Sequence, residues 1–294
     1  MSVGLRIGSI ILPVLAIVVL GYVIGRLWQK PDMRVVNRLN LDVFGPFLVL
    51  AYLSDKSVDL AALWPLLVAA VIIVLGSGLI AWPIARLSGQ SVRTFVPPMM
   101  FNNCGNMGLP LALFAFGSSG LAAMVALFAT SNLLHFTVGP FIVHRHAEPR
   151  LLLQSPMIWA TLLGAALGLS GTHLPDALHA PIKMIGDCTI PVMLLSLGVR
   201  MLDVRREDFT HALLGAAVCP LSGLLLAAIA AHALPMSQQQ IALVYLFGAL
   251  PPAVLNFLLA DHYRQEPAKV ASIVLVGNIA SLVFVPLGLL LGLR

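Results

Sequence analysis

Ten apolar stretches follow one another along the chain, and most are long enough to cross the hydrocarbon core of a bilayer. The chain is 59% hydrophobic and only 10% charged, whereas soluble domains are about a quarter charged. The connections are short, and the first stretch is too long for the core of a signal peptide. The sequence therefore predicts an all-α integral membrane protein with ten transmembrane helices. The predicted spans are 8–27, 39–54, 64–85, 95–116, 121–143, 156–172, 183–201, 209–231, 239–260 and 270–292.

The fourth stretch is interrupted by residues that do not suit a membrane helix. Between Phe101 and Pro110 it contains three asparagines, two glycines and a proline. Glycine and proline weaken helices, and freed backbone groups cannot face lipid, so such a break must line a cavity or lie buried in protein. A second candidate break, Gly248–Ala253, interrupts the ninth stretch. Broken helices form the substrate sites of many secondary transporters, although a kinked helix packed on small residues is the alternative.

The two breaks contain both candidate ligands and candidate helix breakers. The N-terminal ends of the half-helices favour an anion, and asparagine amides add neutral donors. No Lys or Arg lies at the middle of any predicted span, so dipoles and amides alone would hold the anion. Asn256 either points into the site or packs between helices. The predicted substrate-binding residues are Asn103, Gly105, Asn106 and Asn256, and the predicted helix-break residues are Gly108, Pro110, Pro251 and Pro252.

Matched residues in the two halves of the chain indicate an internal repeat. The pairs, offset by 143 to 146 positions, are Pro13/Pro156, Gly21/Gly164, Gly25/Gly168, Asp42/Asp187, Pro46/Pro191, Asn132/Asn278 and Pro140/Pro286. Five spans per repeat is an odd number, so the second copy must enter the membrane inverted. We therefore predict one five-helix repeat over 1–145 and an inverted repeat over 146–294, with broken crossover helices 4 and 9.

The distribution of positive residues predicts the orientation. Of the 17 Lys and Arg residues, thirteen fall in loops on one side of the ten predicted spans and four on the other. The positive-inside rule places the thirteen in the cytoplasm. Both termini are therefore predicted to lie outside the cytoplasm, in a multi-pass protein of the inner (plasma) membrane.

Several motifs, taken together, resemble the auxin efflux carrier family, within the superfamily that includes bile acid–sodium symporters. They are Asn37-Arg38 with Pro46, the break ending Gly108-Leu109-Pro110, Ser196-Leu197-Gly198, Ala249-Leu250-Pro251, and Tyr263, Pro267 and Pro286. The resemblance implies a scaffold domain of helices 1, 2, 6 and 7 and a transport domain of helices 3–5 and 8–10 that moves elevator-fashion. It also implies transport of small organic anions, including auxin in plants and dicarboxylates such as malonate in bacteria, and frequent homodimers. Asn103 matches the family's substrate-contacting asparagine.

Two features depart from the plant members of the family. Only a short segment joins the halves, as is typical of bacterial members, and the stretch 69–75 has no Asp–Lys pair like that on the plant helix 3.

Five further polar residues in the predicted spans are candidates for the site. Asn132 and Asn278 either line the cavity or bond neighbouring helices. His135 is either a core histidine with its hydrogen bonds satisfied or a candidate for proton coupling, and Asp42 and Asp187 are candidates for proton or cation coupling. Each Asp precedes a proline by four residues, which frees its carbonyl, but a carboxylate in the first turn of a span also suits the helix dipole.

Other function classes are disfavoured by what the sequence contains. It has none of the HExxH, GxSxG or phosphate-binding glycine motifs, so we expect no enzyme, and we expect no cofactor, bound metal or nucleic-acid partner. Its three cysteines have no disulfide or metal-ligand spacing. A sodium-coupled bile-acid-type symporter is the rival transporter, and a channel or receptor is the rival of another class.

Overall fold

A computed structural model describes residues 3–29, 31–144, 154–203 and 209–293, and these residues are almost entirely helical. Within them, the one strand-like pairing is a single antiparallel bridge between Asn102 and Pro252. The helices are α1 (Val3–Leu27), α2 (Arg34–Leu39), α3 (Gly45–Leu53), α4 (Trp64–Leu87), α5 (Val92–Met100), α6 (Leu109–Val143), α7 (Pro156–Ser170), α8 (Asp176–Asp187), α9 (Thr189–Arg200), α10 (Phe209–Ala233), α11 (Gln238–Ala249), α12 (Leu255–His262) and α13 (Pro267–Gly292). The predicted boundary between repeats, at 145 and 146, lies outside the described residues.

Six helical segments in the described ranges are long and apolar enough to cross a membrane. They are Gly4–Leu27, Ala61–Leu87, Cys104–Val143, Asp176–Arg200, Ala212–Ala233 and Pro267–Gly292. Large apolar side chains on the outside of the bundle remain exposed, among them Leu12, Leu79 and Met184. An apolar exterior of this extent is expected where lipid, rather than water, surrounds the helices. The chain is therefore a multi-pass helical membrane protein.

Two helices begin earlier than the hydropathy pattern predicted. The helical segment predicted from 39 begins at Arg34, and the one predicted from 183 begins at Asp176. Asp42 lies in a π-helical segment, Asn40–Phe44, that joins α2 to α3, and Asp187 is the last residue of α8, so neither lies in the first turn of its helical segment. The apolar pattern ends at charged residues, whereas the hydrogen bonding of the helix continues through them. Ion pairs between residues one turn apart support this part of the helix.

The long helix α6 folds back on itself at Gly117. This glycine has φ 69° and ψ −157°, a backbone conformation that is essentially restricted to glycine. A Cβ on Gly105 would lie 3.0 Å from Phe128, and one on Gly108 would lie 3.5 Å from Met124, so the turn that precedes α6 packs against the part of α6 after Gly117. Gly117 therefore separates the predicted spans 95–116 and 121–143.

Helix contacts are densest between α1 and α9, among α3, α7 and α8, and among α4, α5, α6, α10, α11 and α13. We call α1, α2, α3, α7, α8 and α9 the first helix group, and α4, α5, α6, α10, α11, α12 and α13 the second helix group. Glycines allow the closest approach within the first group, where Cβ atoms on Gly21 and Gly198 would lie 2.2 Å from Leu195 O and 2.0 Å from Val18 O. Such backbone contact between helices is how membrane bundles pack without a hydrophobic driving force.

We expect Gly21→Ala to destabilise the protein and Gly8→Ala to leave it unchanged or slightly more stable. The added methyl at position 21 overlaps the Leu195 carbonyl, and overpacking of this kind costs about 1–3 kcal/mol. At Gly8, on the same helix, the methyl meets no atom within 4 Å and alanine is the better helix former. The melting temperature of each detergent-solubilised variant is measured by size-exclusion chromatography after heating. Equal melting temperatures in the two variants would contradict the packing of α1 on α9.

Candidate functional site

The two predicted breaks meet and pair with each other. The chain is extended where α5 ends, at Phe101–Asn103, and again where α11 ends, from Leu250 to Ala253. The Asn103 amide donates to Pro251 O at 2.6 Å, and the Ala253 amide donates to Phe101 O at 2.9 Å. Each break therefore satisfies backbone groups that the other leaves free, as an apolar environment requires.

Buried asparagines complete this pairing by capping carbonyls across the two breaks. Asn102 Nδ2 donates to Phe247 O at 2.6 Å. In the opposite direction, Asn256 Nδ2 donates to Phe101 O at 2.8 Å and to Ala253 O at 2.9 Å. Both side chains are almost fully buried, and the Oδ1 atom of each has no partner in the described part of the chain. Of the two roles considered for Asn256, the structure shows hydrogen bonding between helices.

Asn103 is joined to the last helix through Asn278. Asn103 Nδ2 donates to Asn278 Oδ1 at 2.9 Å, and Asn278 Nδ2 in turn donates to Val274 O at 2.7 Å. Asn103 is only 3% exposed. At least one hydrogen of its amide is thus used within the protein, and the residue lines a cavity.

After each break, the first turn of the next helix presents backbone amides that bond no described residue. Met107 and Gly108 N both bond to Asn103 O, so the preceding amides at 104–106 have no carbonyl of their own helix to bond. In the second break, Asn256 N bonds to Ala253 O and Phe257 N bonds to Val254 O. The amides at 254 and 255 therefore also have no carbonyl of their own helix to bond. These two N-terminal turns carry the partial positive charge of helix ends.

Both turns line one cavity of about 310 Å³. Its lining residues are Leu41, Asp42, Asn102, Asn103, Cys104, Gly105, Asn106, Phe128, Ser131, Asn132, His135, Phe136, Gln154, Ser155, Pro156, Met157, Met193, Ala253, Val254 and Leu255. We call the buried segment Asn102–Gly105 the floor, and the exposed residues Leu41, Asp42, Gln154 and Pro156 the mouth. The first helix group supplies the mouth and the second supplies the floor.

The predicted site residues divide between those that line the cavity and those that do not. Asn103, Gly105, Asn106, Asn132, His135 and Asp42 line it. Asn256, Asn278, Gly108, Pro110, Pro251, Pro252 and Asp187 are not among the lining residues. Asn106 and Asn132 are half-buried, and no hydrogen bond joins their side chains to the described residues, so their amides are available to a ligand.

Comparison with known proteins agrees with this architecture. Residues 7–155 and 146–289 match the family described as "Membrane transport protein", the auxin efflux carrier family. The chain belongs to this family. An uncharacterized transporter from Methanothermobacter thermautotrophicus is 28% identical to it in an alignment of 294 residues, and this alignment covers 94% of this chain and 95% of that protein. The protein is thus a membrane transporter and not an enzyme.

Two predicted helix-break residues of the transporter lie just beyond its first break. Gly108 ends a π-helical turn, Cys104–Gly108, and Pro110 is the second residue of α6. The π-helical turn continues directly into α6, so Pro110 lies inside the helix that follows the break. The break depends instead on Phe101–Asn103 and its pairing with the second break, where Pro251 and Pro252 lie in the extended chain.

His135 forms part of the cavity wall. It is 4% exposed and stacks on Phe101, with ring centroids 4.1 Å apart. Its Nε2 has no hydrogen-bond partner within the described ranges. The stacking places an imidazole directly against the first break.

Asp187 lies in a separate polar cluster between α3 and α8. Its carboxylate accepts from Lys183 Nζ at 2.8 Å and from the Tyr52 hydroxyl at 3.1 Å. The Lys183 ammonium also lies over the Tyr52 ring, 4.7 Å from its centroid. Asp187 is thus ion-paired within the first helix group, and its role in coupling stays a prediction.

In the loop after α3, Asp55 continues this cluster. Partial burial acts to raise the pKa of the Asp55 carboxyl, but the Ser57 hydroxyl and amide both donate to it, and the net result is a pKa below its usual value.

Sequence reasoning missed several lining residues. Asn102 belongs to the same asparagine run as Asn103, and that run was its only signal. Phe128, Ser131 and Met193 had none, because their helices face the site only once the two breaks are paired.

We expect Asn256→Leu to lower the melting temperature of the transporter by several degrees and Asn106→Leu to change it little. Leucine at 256 removes the donors to the Phe101 and Ala253 carbonyls, and an unsatisfied buried group costs about 1–3 kcal/mol. Asn106 is the matched control, since its half-buried amide bonds no described residue. Thermal unfolding in detergent measures both variants. Similar losses in both would argue against the capping role of Asn256.

Proposed function

We propose that the transporter is a secondary carrier of small organic anions and binds them in the cavity at the paired breaks. The observation that carries the proposal is the convergence of two helix N-terminal turns, with free amides, on one cavity. Helix N-termini bind anions through their amides and dipoles, and broken helices in transporters use the same device. The comparisons support membrane transport, and the anion is our inference from this site and from the family resemblance.

Amides at the cavity wall divide into those that bind substrate and those that hold the breaks together. We assign Asn106 and Asn132 to the substrate carboxylate, because their amides have no described partner. Asn103 is assigned a shared role, in which its bond to Asn278 orients it toward the substrate. Phe128, Phe136 and Met193 provide apolar surface for the hydrocarbon part of the substrate. A volume of about 310 Å³ suits a molecule of few carbon atoms.

This site is expected to reside in a ten-span protein built from two inverted repeats. The reversal at Gly117 and the occurrence of one break in each half support that arrangement. Both termini lie outside the cytoplasm in this proposal, in the inner (plasma) membrane, and the mouth of the cavity opens to the cytoplasm. The carrier then has an inward-open conformation.

Single cysteines introduced at Ser91 and Ser119 test the orientation. Both residues are exposed, and they lie at opposite ends of the fourth span. In a Cys188→Ser background, where Cys104 and Cys219 are buried, an impermeant maleimide added to intact cells is expected to label position 119 and not 91. Membrane permeabilisation is expected to expose position 91. The reverse pattern, or labelling of both in intact cells, would overturn the proposed topology.

Movement of one helix group past the other would give alternating access. All hydrogen bonds that hold the breaks lie inside the second helix group, so a sliding motion between groups breaks none of them. Apolar side chains such as Met193 meet the floor from the other group. This arrangement supports the elevator-type motion implied by the family resemblance. Homodimerisation remains an expectation from that resemblance alone.

Uptake into proteoliposomes tests the function directly. The panel contains radiolabelled malonate, other dicarboxylates and indole-3-acetate, each with and without sodium and proton gradients. We expect saturable uptake of at least one carboxylate and none of its uncharged amide. The gradients also separate a sodium-coupled symporter from a proton-coupled carrier. Currents through single open channels would favour a channel instead.

We expect Asn106→Ala and Asn132→Ala each to weaken carboxylate binding about tenfold without changing thermal stability. Each removes one hydrogen bond to a charged group, worth about 1.5–3 kcal/mol. Asn103→Ala is expected to weaken binding and also to lower stability, because it removes the donor to Asn278 Oδ1. Asn37→Ala, outside the cavity, is the control for both readouts. Unchanged affinity in the first two variants would mean that the substrate binds elsewhere.

A further inference from the structure

The ionisable groups that line the candidate site are unusual for an anion carrier. Among the described lining residues, Asp42 is the only carboxylate, and none is a Lys or Arg. Asp42 lies at the mouth, where its side chain is 48% exposed. An anion that approaches the amides of the floor therefore passes a group of its own charge, which disfavours binding unless a cation compensates.

Arg38 lies one turn before Asp42 and is the nearest described source of that compensation. Its Nε is 3.3 Å from Asp42 Oδ2, and its side chain is 85% exposed. The contact is a single, long hydrogen bond, and no other side chain within the described ranges is bonded to the guanidinium. A guanidinium has five donors in a planar fork that matches a carboxylate with two parallel bonds. Arg38 does not itself line the cavity, and its terminal nitrogens remain available next to Asp42, which does.

The existing Arg38–Asp42 contact is weak enough to be exchanged. Exposed ion pairs contribute little in water, because solvent screens them and both side chains lose freedom when they pair. A substrate carboxylate that forms two bonds to the fork has the better geometry. The side chain of Asp42, which accepts only one bond, is then the group displaced.

We propose that Arg38 is the residue that selects anions at the mouth of the cavity, and that Asp42 is a built-in competitor which the substrate carboxylate displaces. This proposal rests on the proposed function, since it requires an anionic substrate. It assigns a role to Arg38 of the Asn37-Arg38 motif, which the cavity itself leaves unexplained. Chloride and other weak ligands gain only one contact from the guanidinium, whereas a carboxylate that binds the fork gains two and can displace Asp42.

Arg34 provides a matched control on the same helix. It lies one turn before Arg38, and its side chain is 91% exposed. It holds Asp32 through bonds of 2.9 and 3.0 Å from Nε and 2.8 Å from Nη2, and neither residue lines the cavity. Arg34→Gln therefore removes the same charge from the same region of the protein without changing the mouth.

The experiment measures binding of radiolabelled malonate and of uncharged malonamide to the purified full-length transporter. We expect Arg38→Gln to raise the Kd for malonate about tenfold, because the substrate loses one charge-assisted pair. Arg34→Gln is expected to change this Kd less than about twofold. Asp42→Asn is expected to lower that Kd, and this gain is expected to vanish in the Arg38→Gln background. Malonamide binding should respond to none of these changes. Added salt should weaken malonate binding more in wild type than in Arg38→Gln.

Three outcomes overturn the proposal. Equal losses in Arg38→Gln and Arg34→Gln would show that only the overall positive field matters. Weaker malonate binding in Asp42→Asn would show that Asp42 supports the substrate or a coupling ion rather than competing with it. A gain from Asp42→Asn that persists without Arg38 would remove Arg38 from the mechanism. If wild type binds neither malonate nor indole-3-acetate, the proposed function itself fails, and this proposal fails with it.

Discussion

The structure depends on the pairing of the two helix breaks. A break inside a membrane bundle leaves several peptide groups without partners, and each such group costs several kcal/mol if it faces hydrocarbon. A single break has no second extended segment with which its free peptide groups could pair. Here the Asn103 and Ala253 amides satisfy the Pro251 and Phe101 carbonyls, so two unfavourable segments become one favourable element. The asparagine caps supply the remaining donors to the carbonyl ends.

The breaks use their donors unequally, which is why we propose a binding site there. Carbonyls at the ends of α5 and α11 are capped by Asn256 and Asn102, whereas the amides that begin the next helices bond no described residue. The crossing therefore presents donors, not acceptors, to the cavity beside it. In the proposed site, an anion would complete this hydrogen bonding, so fold and site would have the same origin.

The sequence predicted where the breaks lie but not how they are held. Gly, Pro and Asn in an apolar run are local signals, and both breaks were found close to their predicted positions. The partner of each asparagine was not predictable, since Asn102 and Phe247 are brought together only by the crossing. Pro110 was placed in the break because proline disrupts a helix interior, yet it lies inside the helix that follows the break. The early starts of α2 and α8 were missed because hydropathy reports the lipid-facing apolar surface and not helical hydrogen bonding.

The cost of burying charge explains why the cation lies at the mouth while the floor is neutral. A guanidinium at the floor would lose its hydration, at a cost of several kcal/mol, and would hold a carboxylate too tightly for rapid release. Backbone amides and asparagines cost less to bury, because they carry only partial charges and those without protein partners can bond the substrate. At the mouth, Arg38 stays exposed and hydrated, so it can attract an anion without the burial cost. A carrier that must both capture and release its substrate is best served by this division, in which charge selects at the surface and dipoles bind inside.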